Sequence, residues 1–161
     1  MSEIADIIQE KCLAFADRVI RLNDYLLEQA ASCRSEGRSQ MEGTRRGKTF
    51  PSSVLRHPSY VPVYLQSVSA LCNQLLRSGT SIGANNAEAT NAISKADFKS
   101  KSFIALKEAR ESLYWIDLLH RNNYLDNNQY TSIYADCEEL VRILVNRCKK
   151  INESNDDDKK N

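Results

Sequence analysis

The sequence has little glycine, proline and histidine, and these shortages restrict both its fold and its chemistry. Its 161 residues include five glycines, three prolines and two histidines. All three prolines and three of the glycines fall between residues 30 and 62, so the rest of the chain has few residues that interrupt a helix. Two histidines also leave few candidates for metal ligands or general bases.

Long apolar runs and paired cysteines are missing as well. No run approaches the roughly 20 apolar residues that a membrane-spanning helix needs, so no membrane partner is expected. The cysteines are five in number, with neither a C-x-x-C pair nor zinc-site spacing. Their odd count and the lack of a secretory apolar segment predict free thiols and a cytoplasmic location.

The charge is nearly balanced in total but sorted along the chain. The net charge is +1, which by itself requires no polyanionic partner. Residues 1–29 carry six acids and three bases, whereas residues 30–62 carry six bases and two acids. Residues 151–161 are again acidic, with four acids and two bases. The basic segment is therefore a candidate for binding an anionic partner.

Apolar residues that recur in steps of three and four predict four amphipathic helices. The predicted helices run from about Glu3 to Gln29, from about Ser59 to Thr90, from a capping sequence at Ser94–Asp97 to Asn122–Asn123, and from Asp126 to Ile151. Two of the connections are short and no strand pattern is present. The predicted fold is all-α, an antiparallel four-helix bundle in a single domain over residues 1–151. A long basic loop at 30–62 joins helices one and two, and residues 152–161 are predicted to be a disordered acidic tail.

Gly79 and Gly83 lie inside the second predicted helix, where each costs about 1 kcal/mol relative to alanine. Their position on one stripe suggests that another backbone packs closely against them, either in the same chain or in another subunit. The alternative ends the helix at Gly79 and restarts it at Thr80 or Ser81. The candidate packing or subunit interface comprises Arg77, Ser78, Gly79, Ser81, Ile82, Gly83 and Asn85.

The segment from Gln74 to Asn85, which reads QLLRSGTSIGAN, resembles the signature of the bacterial four-helix-bundle family. That family is also called the 23S rRNA intervening-sequence protein family. The likeness continues through Ser94–Phe98 and Ala105–Ser112, and it runs on to Asp136–Leu140. Family members usually cross between helices one and two by a short turn, so residues 30–62 resemble an insertion on which the family pattern is silent.

The resemblance implies a bundle that assembles as a homo-oligomer, pentameric where relatives are described, with no assigned activity or cofactor for most members. Relatives include the accessory variability protein of diversity-generating retroelements. That protein resembles a basic barrel that binds RNA and a reverse transcriptase. The family thus implies RNA and a reverse transcriptase or other protein as partners, without identifying the residues that bind them.

Catalytic and metal motifs are weak by comparison. Asp117 and His120 lie one turn apart, as in half of a di-iron bundle site, but a second such pair is missing. Gly79 to Gly83 lacks the Lys-Ser/Thr of a phosphate-binding loop. No serine or cysteine has an evident histidine partner. These observations predict that the protein is not an enzyme and holds no cofactor or metal.

Surfaces are then the remaining carriers of function. The candidate nucleic-acid-binding residues are Arg34, Arg38, Arg45, Arg46, Lys48 and Arg56 in the loop, with Lys95, Lys99, Lys101 and Lys107 on helix three. The leading interpretation is a non-enzymatic, homo-oligomeric accessory or adaptor protein that binds nucleic acid, RNA above all. The alternatives are a solubilising loop that pairs with the acidic tail, a scaffold that binds only itself and a protein partner, and a metal or cofactor enzyme, which would contain bound metal when purified.

Overall fold

The chain folds into four long helices, which a computed structural model describes over residues 3–36 and 60–157. They are α1 (Glu3–Glu36), α2 (Tyr60–Thr90), α3 (Lys95–Arg121) and α4 (Asn127–Asp157). Each helix packs on the next in sequence, and α1 also packs on α4. Every regular element in the described ranges is a helix, so the predicted all-α four-helix bundle is confirmed.

Contacts between neighbouring helices show that they run in opposite directions. Gln9 of α1 meets Asn86 of α2, whereas Val19, further along α1, lies beside Gly79, which is earlier in α2. The core between the helices is built from aliphatic, aromatic and cysteine side chains. Its largest fully buried apolar members are Phe15, Val19, Val68, Leu75, Ile82, Ile116, Leu119, Leu140 and Leu144.

The second helix is continuous through both of its glycines. This confirms the prediction of an unbroken helix and removes the alternative that ends it at Gly79 and restarts it at Thr80 or Ser81. The heptad pattern of this helix predicts a buried stripe that includes Val68, Leu75, Ser78, Ile82, Asn85 and Ala89, and all of these except Asn85 are buried. Near the end of the helix the buried amide is Asn86, whereas Asn85 is half-buried. The reason is that a straight helix with 3.6 residues per turn drifts away from a strict seven-residue repeat.

The two short connections have the predicted capping chemistry. The Ser94 hydroxyl accepts a hydrogen bond from the Asp97 backbone N–H at 3.1 Å, and the Asp97 carboxylate accepts one from the Ile93 backbone N–H. At the start of α4, Asp126 and Gln129 exchange side-chain-to-backbone hydrogen bonds of 2.8 and 3.1 Å. These bonds satisfy backbone donors that the first turn of a helix leaves unpaired.

Two predicted boundaries are wrong, both because a helix continues further than its apolar stripe suggests. α1 ends at Glu36 and not at Gln29, since residues 30–36 contain neither glycine nor proline and Ala30 is buried. α4 ends at Asp157 and not at Ile151. The Ser154 hydroxyl donates to the Lys150 carbonyl one turn earlier, at 2.9 Å. The division into one domain and a tail otherwise stays a prediction.

Candidate nucleic-acid interface

Most of the predicted basic-loop residues lie outside the part of the chain that the structure describes. These are Arg38, Arg45, Arg46, Lys48 and Arg56. Arg34, which was assigned to the loop, belongs to the last turns of α1. The four lysines of α3 are therefore the predicted nucleic-acid contacts that can be placed on the bundle.

Lys101 lies apart from the other lysines, on the side of α3 that faces α2. Its amine forms an ion pair with Glu88 of α2. The hydrogen bond from this amine to Glu88, and the negative charge of that carboxylate, raise the pKa of Lys101. A lysine that is already paired with a carboxylate contributes less to the attraction of a phosphate backbone.

Lys95 and Lys99 lie instead on the side of α3 that faces α4. Lys99 and Asp117 are five full helical turns apart on α3, so both project from the same face. The Tyr130 hydroxyl of α4 donates to the Asp117 carboxylate at 2.8 Å, so this face of α3 is turned toward α4. The Lys99 amine lies 5.9 Å from the centre of the Phe103 ring.

Helix α4 contributes two further bases to the groove between α3 and α4. The sequence prediction did not include them. Arg142 and Lys149 are exposed. They flank Val145, which is five turns from Asn127 on one face of α4. Since the Asn127 amide oxygen lies 3.0 Å from His120 of α3, this face is turned toward α3.

The contacts between α3 and α4 place these four bases at a similar height. The Cys137 thiol lies 3.3 Å from the Ala109 carbonyl, and Tyr130 bonds to Asp117. Because the helices are antiparallel, this register sets Arg142 and Lys149 beside residues 97–104 of α3. We call Lys95, Lys99, Arg142 and Lys149 the groove patch. Glu138 and Glu153, each one turn beyond a base of α4, bound the patch at its two ends.

Lys107, the remaining predicted lysine, is exposed about two turns further along α3. It projects away from both neighbouring helices and does not join the groove patch. The structure thus separates the four predicted lysines into three environments. Only two of them, Lys95 and Lys99, share a surface.

The small-residue stripe of α2 is largely used within the chain. A Cβ atom added to Gly79 would lie 3.1 Å from the Val19 side chain, and one added to Gly83 would lie 3.3 Å from Cys12. The Ser78 hydroxyl is fully buried and accepts a hydrogen bond of 2.9 Å from Ser112 of α3. Both glycines therefore allow α1 to approach α2 closely.

The other members of the proposed interface differ in exposure. Ile82 is fully buried in the core, so it cannot also contact another subunit. Arg77 is exposed and lies 3.5 Å from the Glu111 carboxylate of α3. The Asn85 amide donates to the Ser81 carbonyl at 2.8 Å. A subunit contact on this stripe is thus restricted to Arg77, Ser81 and Asn85, where it stays a prediction.

Asp117 and His120, the pair with metal-site spacing, are both engaged in contacts between α3 and α4. The Asp117 carboxylate accepts the Tyr130 hydroxyl, and the His120 ring stacks on Tyr130 with ring centres 4.1 Å apart. Within residues 3–36 and 60–157, no group of three or more His, Cys, Asp and Glu side chains could hold a metal ion. The pair is explained by packing between the two helices.

The buried cysteines have the properties of core side chains. Burial raises the pKa of the Cys12 and Cys72 thiols to about 11 and that of Cys137 to about 12. Burial also raises the pKa of Cys148. Thiols with such pKa values are protonated at neutral pH and are poor nucleophiles. Among the described residues, no helix has the length and apolar character to cross a membrane.

Comparisons with known proteins agree with this fold. The model of a family described as 23S rRNA-intervening sequence protein matches residues 59–146. A crystal structure from Bacteroides thetaiotaomicron, of a protein with unknown function from the S23 ribosomal protein family, is similar at 33% sequence identity with a TM-score of 0.63. The similarity covers 91% of this chain and 98% of that one. No curated protein matches the chain.

Proposed function

The chain belongs to the 23S rRNA-intervening sequence protein family, and from that premise we propose that it is a non-enzymatic, homo-oligomeric accessory protein that binds RNA through the groove patch. Its bases come from two helices and project into one groove. This convergence is the observation that carries the proposal. Neither helix alone has it, since the lysines of α3 are dispersed around that helix.

Three bases of the groove patch are available for a ligand. Lys99, Arg142 and Lys149 form no ion pair with any residue in the described ranges. A base that neutralises a phosphate releases the counterions condensed on the nucleic acid, and this release favours binding. Since α3 and α4 are already ordered helices, no backbone entropy of these residues is lost when the ligand binds, and the ordering cost is confined to their side chains and to the ligand.

A single-stranded segment fits this patch better than a regular duplex. Residues seven apart on α4, such as Arg142 and Lys149, are about 10 Å apart along the helix axis. This spacing is within reach of phosphates in a flexible strand, which adjusts to the groove. Phe103 contributes an aromatic ring at the edge of the patch, next to Lys99. We therefore infer contact with the RNA backbone and weak base preference.

We infer that the predicted basic loop adds positive charge to this surface. Residues 37–59, which join α1 to α2, carry five bases and one acid, a net charge of +4. In a closed oligomer each copy contributes both its loop and its groove patch, so the positive charge is multiplied by the number of subunits. The pentameric state and the reverse transcriptase partner rest on family resemblance and stay predictions.

A salt titration of RNA binding tests the proposal. The probe is a 30-nucleotide single-stranded RNA of mixed sequence, with DNA of the same sequence as a second arm. We expect affinity to fall linearly with the logarithm of salt concentration. Replacing Arg142 and Lys149 with glutamine should reduce the magnitude of that slope by about 1.4, since each phosphate contact in a single strand contributes about 0.7.

The matched control neutralises the same number of bases elsewhere on the same two helices. Lys101→Gln with Lys150→Gln gives an equal change in net charge, but neither side chain belongs to the groove patch. The proposal fails if the wild-type protein does not bind the RNA at low salt, or if binding does not depend on salt. It also fails if the control pair lowers the slope as much as the groove-patch pair does.

A further inference from the structure

The outward side of α1 has an unusual alternation of acidic and aliphatic residues. Its members follow steps of four and three and are all exposed: Asp6, Glu10, Leu13, Asp17, Ile20 and Asp24. Leu13 is 57% exposed and Ile20 is 42% exposed, two of the few large apolar side chains on the surface of the described residues. Arg21, at the edge, lies 4.0 Å from Asp17 within the same helix. We call this set the α1 stripe.

The outward side of α3 has the opposite charge. Lys107, Arg110, Tyr114 and Arg121 project from one face of this helix and are all exposed. Tyr114 is 58% exposed, and its ring meets Trp115 edge-on at 4.9 Å between ring centres. None of the three bases forms an ion pair with a described residue. We call this set the α3 stripe.

The two stripes lie at the same height on diagonally opposite corners of the bundle. Val19 of α1 lies beside Gly79 of α2, and Ser78 bonds to Ser112 of α3. Residues 17–19 of α1 are therefore level with about residues 110–112 of α3. Both helices run antiparallel to α2, so they are parallel to each other.

We propose that the α1 stripe of one copy docks on the α3 stripe of a second copy. A rotation about an axis parallel to the helices brings Asp17 to the height of Arg110 with no axial shift. One turn further along, Ile20 comes to the height of the exposed Tyr114 ring. In this arrangement Asp17 faces Arg110, and one turn away the aliphatic Ile20 faces the aromatic Tyr114. Other arrangements would set like charges opposite each other and are disfavoured.

The occupant is a second copy because one chain carries both halves of the contact. Leu13 and Ile20 are seven residues apart, and so are Lys107 and Tyr114, so the two stripes share a two-turn repeat. The contact is head-to-tail, since different surfaces meet, and repetition gives a ring or a filament rather than a two-fold dimer. This inference rests on the homo-oligomer of the proposed function and assigns its surfaces.

Charge reversal at the centre of the contact tests the assignment. The variants are Asp17→Arg, Arg110→Asp and the two together, with mass measured by sedimentation and by native mass spectrometry. We expect the wild-type protein to exceed the 18.3 kDa of one chain, and each single variant to sediment as that monomer. The double variant restores an acid opposite a base, and its assembly should return. Mixing the two single variants should restore the contact between unlike copies, in assemblies in which the two variants alternate.

Circular dichroism and thermal melting show whether each variant is folded, and both positions are exposed, so folding should be preserved. The inference is overturned if the single variants keep the wild-type mass, or if neither the double variant nor the mixture regains it. Glu153→Arg, about four helical turns along α4 from the level of Arg110, is the control and should leave the mass unchanged.

The outcome is separable from that of the RNA proposal. A wild-type oligomer that tolerates both reversals removes this contact but leaves oligomerisation and RNA binding in place. A wild-type monomer removes both the contact and the oligomer, while salt-dependent binding by the groove patch is still measured in the RNA titration.

Discussion

Helix α1 contacts α2 on one side and α4 on the other, and the two contacts are made in different ways. Against α2, α1 packs over Gly79 and Gly83, so closely that an added Cβ atom would lie 3.1 to 3.3 Å from its side chains. Against α4, the edge of the contact is charged. Arg18 pairs with Asp136, and the Lys11 amine lies 2.9 Å from the Glu139 carboxylate.

The difference predicts opposite sensitivities. The contact with α2 depends on the absence of side-chain atoms, so it should respond to added volume and be indifferent to salt. The ion pairs with α4 are about 40% exposed, so they contribute little and are screened by salt. We therefore expect the tight packing between α1 and α2 to contribute more to the stability of the bundle than these two ion pairs do.

A polar cluster at one end of the bundle connects α1 with both α2 and α4. Asn86 of α2 is fully buried, donates to the Gln9 amide oxygen at 2.6 Å and accepts from Arg147 of α4 at 2.7 Å. Burial lowers the pKa of Arg147 from its ordinary value. Since the side chain of Arg147 reaches across the diagonal of the bundle, Asn86 links three of the four helices.

The largest predicted effect comes from adding volume to the contact with α2. Gly83→Leu places a four-carbon side chain where Cys12 lies 3.3 Å from the first added atom, and α1 must move away. We expect a loss of about 3 kcal/mol in the free energy of unfolding, measured by urea denaturation.

Gly83→Ala is the control for this variant. Its gain of about 1 kcal/mol in helix propensity offsets the mild overpacking, so its stability should be near that of the wild type. If Gly83→Leu were as stable as the alanine variant, the close packing of α1 on α2 at this position would be wrong. The glycine would then need another explanation.

The sequence carried enough information to predict this helix but not the partner of its glycines. The unbroken apolar register through Gly79 and Gly83 predicted a continuous helix, and the capping residues Ser94 and Asp126 predicted where the next two helices begin. Whether the glycines face α1 or another subunit depends on which surface reaches them. That is a property of the packed bundle and not of α2 alone.

The candidate nucleic-acid site was predicted in part for a similar reason. The lysines of α3 could be read as a cluster from their closeness in sequence, but the helix turns Lys101 toward α2 and Lys107 outward. Arg142 and Lys149 lie far from Lys99 in the sequence, on a different helix, and each reads as an ordinary exposed base. Only the register between α3 and α4 brings them to the same groove.

An intermediate effect is expected from the polar cluster. Asn86→Ala leaves the Gln9 amide oxygen and the partly buried Arg147 guanidinium without their partner, at a cost of about 2 kcal/mol in unfolding free energy. The neighbouring Asn85→Ala is a matched control, because Asn85 bonds only within α2 among the described residues. It should cost less than about 0.5 kcal/mol. Equal losses for the two variants would show that Asn86 does not couple the helices.

The smallest effect is predicted for the ion pair between α1 and α4, and its dependence on salt is the sharper observation. In a double-mutant cycle, Arg18→Ala and Asp136→Ala should give a coupling of about 0.5 kcal/mol at low salt, since both side chains are partly exposed. In 1 M salt the Debye length falls to about 3 Å, so the coupling should fall by half or more. The Gly83→Leu loss, measured in the same buffers, should stay constant because it arises from packing. A coupling above about 2 kcal/mol that persists in high salt lies beyond the range of exposed ion pairs. It would contradict the comparison, because the contact with α4 would then hold α1 as firmly as the contact with α2 does.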